Sequence, residues 1–161
     1  MSRKYKLGLV IGRFQPFHKG HKYLIEESLK LADKIIIGIG SANKSNAQNP
    51  WSWKARKKVI ESFLQHEGLE EGVKDIIPLF DNPDDDVWFQ NLLKATVPFD
   101  VTIGNNPWNN GIIERHGIPA ITIGFKKRHV WEGVQIRHLM EKNEKWEDRV
   151  PQYLLSSITK P

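Results

Sequence analysis

Five short apolar runs punctuate the chain: LGLVI (7–11), KIIIGIGSA (34–42), DIIPLF (75–80), FDVTIG (99–104) and PAITIG (119–124). Stretches with helical periodicity lie between them. Over 19–33 the inward face is Tyr23, Leu24, Ile25, Leu29 and Ala32, and a helix after Ser52 carries Trp53, Ala55, Val59, Ile60, Phe63 and Leu64. A short helix is predicted over 87–96, another from Gly133 through Met140, and a last one around Trp146 to Leu155. Strand and helix in alternation, with uninterrupted apolar strands, describe an α/β chain whose parallel sheet is covered on both faces. Pro78 removes a ladder donor and marks the third run as an edge strand or a strand end.

In such sheets a ligand sits beyond the carboxyl ends of the strands, where the strand order reverses. The residues able to do chemistry fall there: Gly12 to His21, Gly40 to Trp53, Asp81, Gly104 to Pro107, and Gly124 to His129. One site built from five loops is the economical expectation. The 161 residues, 39% of them apolar, suffice for one core, read as one domain with a core of about 7–140 and a helical extension at 141–161. The apolar run after MSRKYK is too short for a signal peptide or a membrane span, so the expected location is cytoplasmic and no membrane partner is expected. Without a secretion signal the glycosylation pattern Asn43-Lys44-Ser45 has no consequence. Cysteine is absent, which excludes disulfides, thiolate metal sites and cysteine nucleophiles, and no Gly-x-Ser-x-Gly elbow is present. The net charge of +5 suits an anionic partner, with the densest basic run at Lys126 to His129 and an acidic cluster at Asp84 to Asp86.

The segment GRFQPFHKGH (12–21) lies at the seam between the first strand and the first helix. Gly12 admits a backbone path that a side chain would obstruct, Pro16 fixes the loop, and Gly20 permits close approach of a bulky ligand. His18 and His21 share a face of the first helical turn, where amide groups and the helix dipole attract an anion. Imidazole titrates near neutrality, and a bound phosphate raises its pKa. As metal ligands the pair lacks a third partner at recognisable spacing, and the segment has no Gly-Lys-Ser/Thr ending of a P-loop. A phosphate site with histidines in place of the P-loop lysine fits these residues.

GRFQPFHKGH, with His18-Lys19-Gly20-His21 inside it, resembles the signature of the His-x-Gly-His nucleotidyltransferases, in the extended form of archaeal-type nicotinamide-nucleotide adenylyltransferases. The segments IIIGIGSA, PWSWKAR, DIIPLFD, FDVTIGNNP and GVQIRHLM follow in that family's order, so the resemblance spans about 7–140. It implies a Rossmann-like, doubly wound sheet of about five strands. It also implies transfer of AMP from ATP to nicotinamide mononucleotide (NMN) or its nicotinic acid analogue, with magnesium bound mainly through the ATP phosphates. His18, His21 and Arg137 would then act on the phosphates in the transition state. Arg13 would contact phosphate, and the backbone at Gly12 and Phe14 would let the nucleotide approach. Adenine would lie against the Gly104 to Pro107 loop beside Asn106, and Asp81 and Trp88 would surround the acceptor ring. A homo-oligomer is implied as well.

The family's C-terminal motif reads Ser-Gly-Thr before its arginine, whereas this chain has Glu132-Gly133-Val134 before Gln135-Ile136-Arg137. Both phosphate-binding hydroxyls are gone, and Lys126, Lys127 and Arg128 are the nearby charges that would compensate. Three alternatives stay open at this stage: FMN or phosphopantetheine as acceptor, a nucleotide-binding protein that has lost catalysis, and RNA binding. The last lacks a tract of interleaved basic and aromatic residues, so no nucleic-acid partner is expected.

Overall fold

The computed structural model describes residues 3–161. A single parallel sheet organises it, with strands β1 (Tyr5–Gly12), β2 (Ala32–Ile39), β3 (Val73–Pro78), β4 (Val101–Ile103) and β5 (Ala120–Ile121) in the order β3-β2-β1-β4-β5. The helices are α1 (Lys19–Leu31), α2 (Trp53–Glu67), α3 (Asp85–Ala95), α4 (Pro107–Arg115) and α5 (Gly133–Glu141). Short 3₁₀ turns occupy Glu70–Gly72, Glu147–Arg149 and Gln152–Ser157.

Because successive strand residues point to opposite faces, β1 sends Val10 to one core and Leu9 to the other, and β2 divides Ile35, Ile37 and Ile39 from Ile36. The first face is covered by α1 through Leu24 and Ile25, by α2 through Ile60 and Phe63, and by α5 through Ile136 and Met140. The second is covered by α3 through Trp88, Phe89 and Leu92 and by α4 through Ile112 and Ile113. The chain winds outward from β1 through β2 to β3, then returns to the other side of β1 as β4. The carboxyl ends of β1 and β4 therefore splay apart and leave a crevice between them.

Several expectations are corrected. The first helix stops at Leu31 and β2 begins at once at Ala32, so the second strand is 32–39 rather than 34–42. The third strand starts two residues early and ends at Pro78, on the edge of the sheet, as its proline required. Helix α4, absent from the sequence expectation, fills the crossover between β4 and β5. Asn106 caps it, accepting from the amides of Trp108 (2.9 Å) and Asn109 (3.3 Å), and Pro107 begins it. The last residues pack on the chain's own core: Trp146, Val150, Leu154 and Ile158 are buried in the cluster that holds α2, and the Trp51 indole donates to the carbonyl of Thr159 at 2.7 Å. Among the described residues no helix is long and apolar enough to cross a membrane.

Candidate active site

A cleft of ≈ 510 Å³ opens at the crevice and draws residues from all five strand-end loops. Of the residues singled out in the sequence, it is lined by Gly12, Arg13, Phe14, His18, Gly20, His21, Asp81, Trp88, Asn106, Arg128 and Arg137. Gly104 and Lys127 do not line it. The Gly104 amide donates to Ile121 and its carbonyl accepts from the Asn110 side chain, so it ties β4 to its neighbours. Lys127 holds a turn, its carbonyl accepting from Val130 and Trp131 while its ammonium lies 5.3 Å above the Trp131 ring.

The two histidines define the chemistry. His18 is the N-cap of α1: its Nδ1 accepts from the Gly20 amide at 3.0 Å, and the Nδ1 of His21 accepts from the His18 amide at 3.1 Å. The rings stack with centroids 3.8 Å apart. An Nδ1 that accepts from a backbone N–H carries no proton, so both rings are neutral and hold their proton on Nε2. Burial pushes the His18 pKa down to about 3, and that of His21 falls well below its ordinary value through burial and the neighbouring His18. The expectation of imidazoles titrating near neutrality is thus corrected for the free site, where they are fixed neutral donors. The helix end is less free than expected too, since His18 itself takes the Gly20 amide.

The glycines matter through space. A Cβ on Gly12 would stand 2.9 Å from the Phe14 ring, and one on Gly20 would stand 2.8 Å from the His18 ring. Neither has a positive φ; it is Phe14, at φ 54, that takes the left-handed backbone. The buried Phe14 ring lies 4.5 Å from that of His21 and backs it against the core.

Two arginines flank the histidines, one held by a main-chain oxygen and one by a side-chain oxygen. Arg137 donates to the Gln15 carbonyl at 2.6 Å, not to Glu141 one turn on, and its pKa is lowered by burial and by Arg13. Arg13 reaches Asn49 at 3.5 Å from an otherwise exposed position. Glu132, at the start of α5, lines the cleft and makes no side-chain cap bond. Asp81 accepts from the Ser41 hydroxyl at 2.8 Å, and Trp88 is both a core residue and a cleft wall. The Oδ1 of Asn106 is engaged in its cap, which leaves its amide nitrogen for a ligand.

Sequence reading missed the residues that hold the loops. Gln15, 2% exposed, donates to the Trp51 carbonyl (3.0 Å) and accepts from the Trp51 amide (3.1 Å). Arg56, equally buried, donates to the carbonyls of Arg13 (2.7 Å), Gly40 (2.8 Å) and Ser52 (3.3 Å). Burial holds its pKa down to about 10, so it remains charged at neutral pH. Asn105 clasps Gly124 from both sides, at 3.0 and 2.8 Å. A polar residue on an otherwise apolar helix face was the available signal for Arg56. Gln15 and Asn105 had none.

Comparison with known proteins agrees with this geometry. The cytidylyltransferase-like family matches residues 9–124. A nicotinamide-nucleotide adenylyltransferase of Methanolobus tindarius is 36% identical over 149 residues, covering 92% of this chain and 84% of its own. Among solved structures, a bifunctional NMN adenylyltransferase/ADP ribose pyrophosphatase from Francisella tularensis superposes with a TM-score of 0.79 at 29% identity over 91% of this chain. A second structure of that enzyme, complexed with AMP and a manganese ion, gives 0.74 at the same identity. This chain spans 45% of the length of the first and 44% of the second. The chain belongs to the cytidylyltransferase-like family and, within it, groups with the nicotinamide-nucleotide adenylyltransferases.

Proposed function

We propose that the protein transfers AMP from ATP to NMN, giving NAD and pyrophosphate, and accepts the nicotinic acid analogue as well. The observation that carries this reading is the pair of stacked, neutral histidines whose Nε2–H groups are free to donate beside Arg13 and Arg137. A phosphate oxygen of NMN attacks the α-phosphorus of ATP, the bond from that phosphorus to the bridging oxygen breaks, and pyrophosphate departs with the electron pair. No enzyme nucleophile is needed, so positioning and charge stabilisation supply the catalysis. His18 and His21 donate to the phosphate oxygens on which charge grows, and Arg137 grips the departing β,γ-phosphates. Arg13 and Arg128, with Lys126, offset the polyphosphate charge along the cleft. Trp88 and Asp81 flank the acceptor ring, and Asn106 offers its amide to adenine.

Among the described residues no three His, Cys, Asp or Glu side chains gather into a metal cage. Magnesium fits this donor set as an ion carried on ATP phosphate oxygens, with Glu132 and Asp81 the carboxylates that line the cleft, and when bound it would neutralise polyphosphate charge. Glu132 and Val134 stand where hydroxyls would bind phosphate, which leaves charge rather than side-chain hydroxyls to hold the γ-phosphate end. Alanine at Lys126 and Arg128, the cations that line the cleft, raises the ATP KM if these side chains compensate; an unchanged KM removes them from the site. The same reading makes the protein a cytoplasmic homo-oligomer, which sedimentation of the purified chain tests for assembly.

The deciding experiment is pyrophosphate release with ATP and magnesium, comparing NMN, nicotinic acid mononucleotide, FMN and phosphopantetheine. NAD formed from NMN supports the reading. Turnover with FMN or phosphopantetheine alone replaces the acceptor, and ATP binding without any turnover replaces the enzyme by a nucleotide-binding protein.

A further inference from the structure

The first turn of α1 faces two cavities. His18 and His21 line the cleft, whereas Lys19 and Lys22, the same three-residue step displaced by one position, line a neighbouring chamber of ≈ 300 Å³. Three residues belong to both: Tyr23, Lys126 and Trp131. The shared wall therefore includes a cationic residue, Lys126, common to both cavities.

The charges in the chamber are unequal. Lys22 is already compensated by Glu26 and Glu67, both at 3.1 Å. Lys19 takes part in none of the ion pairs among the described residues. Lys126 lies 5.4 Å above the Tyr23 ring and has no carboxylate partner among those pairs either. The one carboxylate of the lining, Glu26, is committed to Lys22. Two uncommitted cations remain in a half-open space, which favours an anion. The aromatic walls do not offer a clear slot for a base. Tyr23 carries Lys126 over its ring, Trp131 carries Lys127, and Tyr153 is stacked on His66 at 3.6 Å. The occupant suited to this lining is a compact inorganic polyanion.

We infer that this chamber is a second anion site that receives inorganic pyrophosphate as it leaves the cleft, with Lys126 at the shared wall and Lys19 as its receiving cation. The identity of the anion rests on the adenylyl-transfer reading. The chamber itself rests on the geometry. A leaving group of several negative charges departs more readily when a second cation lies along its path than when it must part from Arg137 and Arg13 directly into water.

The test is calorimetry with the cleft filled by a non-hydrolysable ATP analogue, into which inorganic pyrophosphate is titrated. The wild-type protein is expected to bind one equivalent, K19Q to bind about tenfold more weakly, and K19R to recover, as loss of a charge-assisted contact implies. In turnover, K19Q weakens product inhibition by pyrophosphate while the KM for ATP stays within about twofold. Pyrophosphate that fails to bind once the cleft is filled overturns the inference, as does K19Q binding it like the wild type. Equal weakening of ATP and pyrophosphate would also overturn it, because it would put the Lys19 charge in the cleft. Failure of the adenylyl-transfer reading shows separately, as absence of NAD from ATP and NMN, and leaves the calorimetric result readable.

Discussion

His18 performs two tasks with one ring. Its Nδ1 caps α1 and leaves the proton on Nε2, so the helix cap selects the tautomer that would donate to a phosphate. This coupling has a measurable cost in acid. The folded pKa of about 3 lies below the ordinary 6.5, so the unfolded chain binds the proton first. The stability from a neutral His18 is complete above pH 6.5 and is lost as pH falls from 6.5 towards 3, at up to about 1.4 kcal/mol per pH unit. Asparagine caps helices well and does not titrate. H18N should therefore lose less stability than the wild type between pH 6.5 and 4.5, by roughly 2–3 kcal/mol in denaturant titrations. An unchanged slope would mean that the ring is charged in the fold. For His21 the contrast is kinetic: H21A should lower kcat by about 10²–10³ with little change in ATP affinity, since the donor acts on charge that appears only in the transition state. If ATP binding weakened as much as turnover, the ring would be a ground-state ligand.

At the scale of elements, the strands were legible because helices cover both faces of the sheet, which leaves apolar runs, longest in the central strands β1 and β2, that no other element explains. The motif loop was legible for the same reason, since it had to follow the first strand. Helix α4 was not. PWNNGIIER contains a glycine, two asparagines and only two residues that reach full burial as apolar side chains, Ile112 and Ile113, so it offers little periodicity. Its signal was local, an asparagine followed by proline, and the capping bonds of Asn106 bear it out. Replacing Asn106 by alanine should cost about 1 kcal/mol in thermal or denaturant unfolding if the cap is the main role of this side chain. Arg56 left one signal, a polar residue on the apolar face of α2, but its task was not legible, because the carbonyls of Arg13 and Gly40 belong to loops distant in sequence. Lysine cannot reproduce a fork of donors, so R56K should lose about 2–3 kcal/mol and raise the KM for ATP, the loop of Arg13 being no longer fixed. Normal stability with normal KM would make those bonds dispensable.

Across the whole molecule, the site is a by-product of winding: the chain leaves β1 in one direction and returns on its other side, and the gap at that reversal is the cleft. The segment after residue 145, read from the sequence as a helical extension, packs against α2 on the chain's own core. Its buried apolar residues, Trp146, Val150, Leu154 and Ile158, recur every four positions, and the fold decides their partner. L154A should cost about 2–5 kcal/mol, read from the shift of the unfolding midpoint, because Leu154 is fully buried against that helix. A change below 1 kcal/mol would mean that the segment only rests on the surface.

The tie between Trp51 and Thr159 also bears on how the protein is made. Gln15 sets the histidine-bearing loop by gripping the backbone of Trp51, and Trp51 is itself held by a carbonyl 108 residues further on. At a synthesis rate of about 5–20 residues per second, the ribosome needs roughly 5–20 s to supply that second anchor. During that interval the nascent chain can form its first strands and helices, yet the histidine-bearing loop lacks its outer support. The loop that carries His18 and His21 is therefore among the first segments to be translated and among the last to be fully held in place.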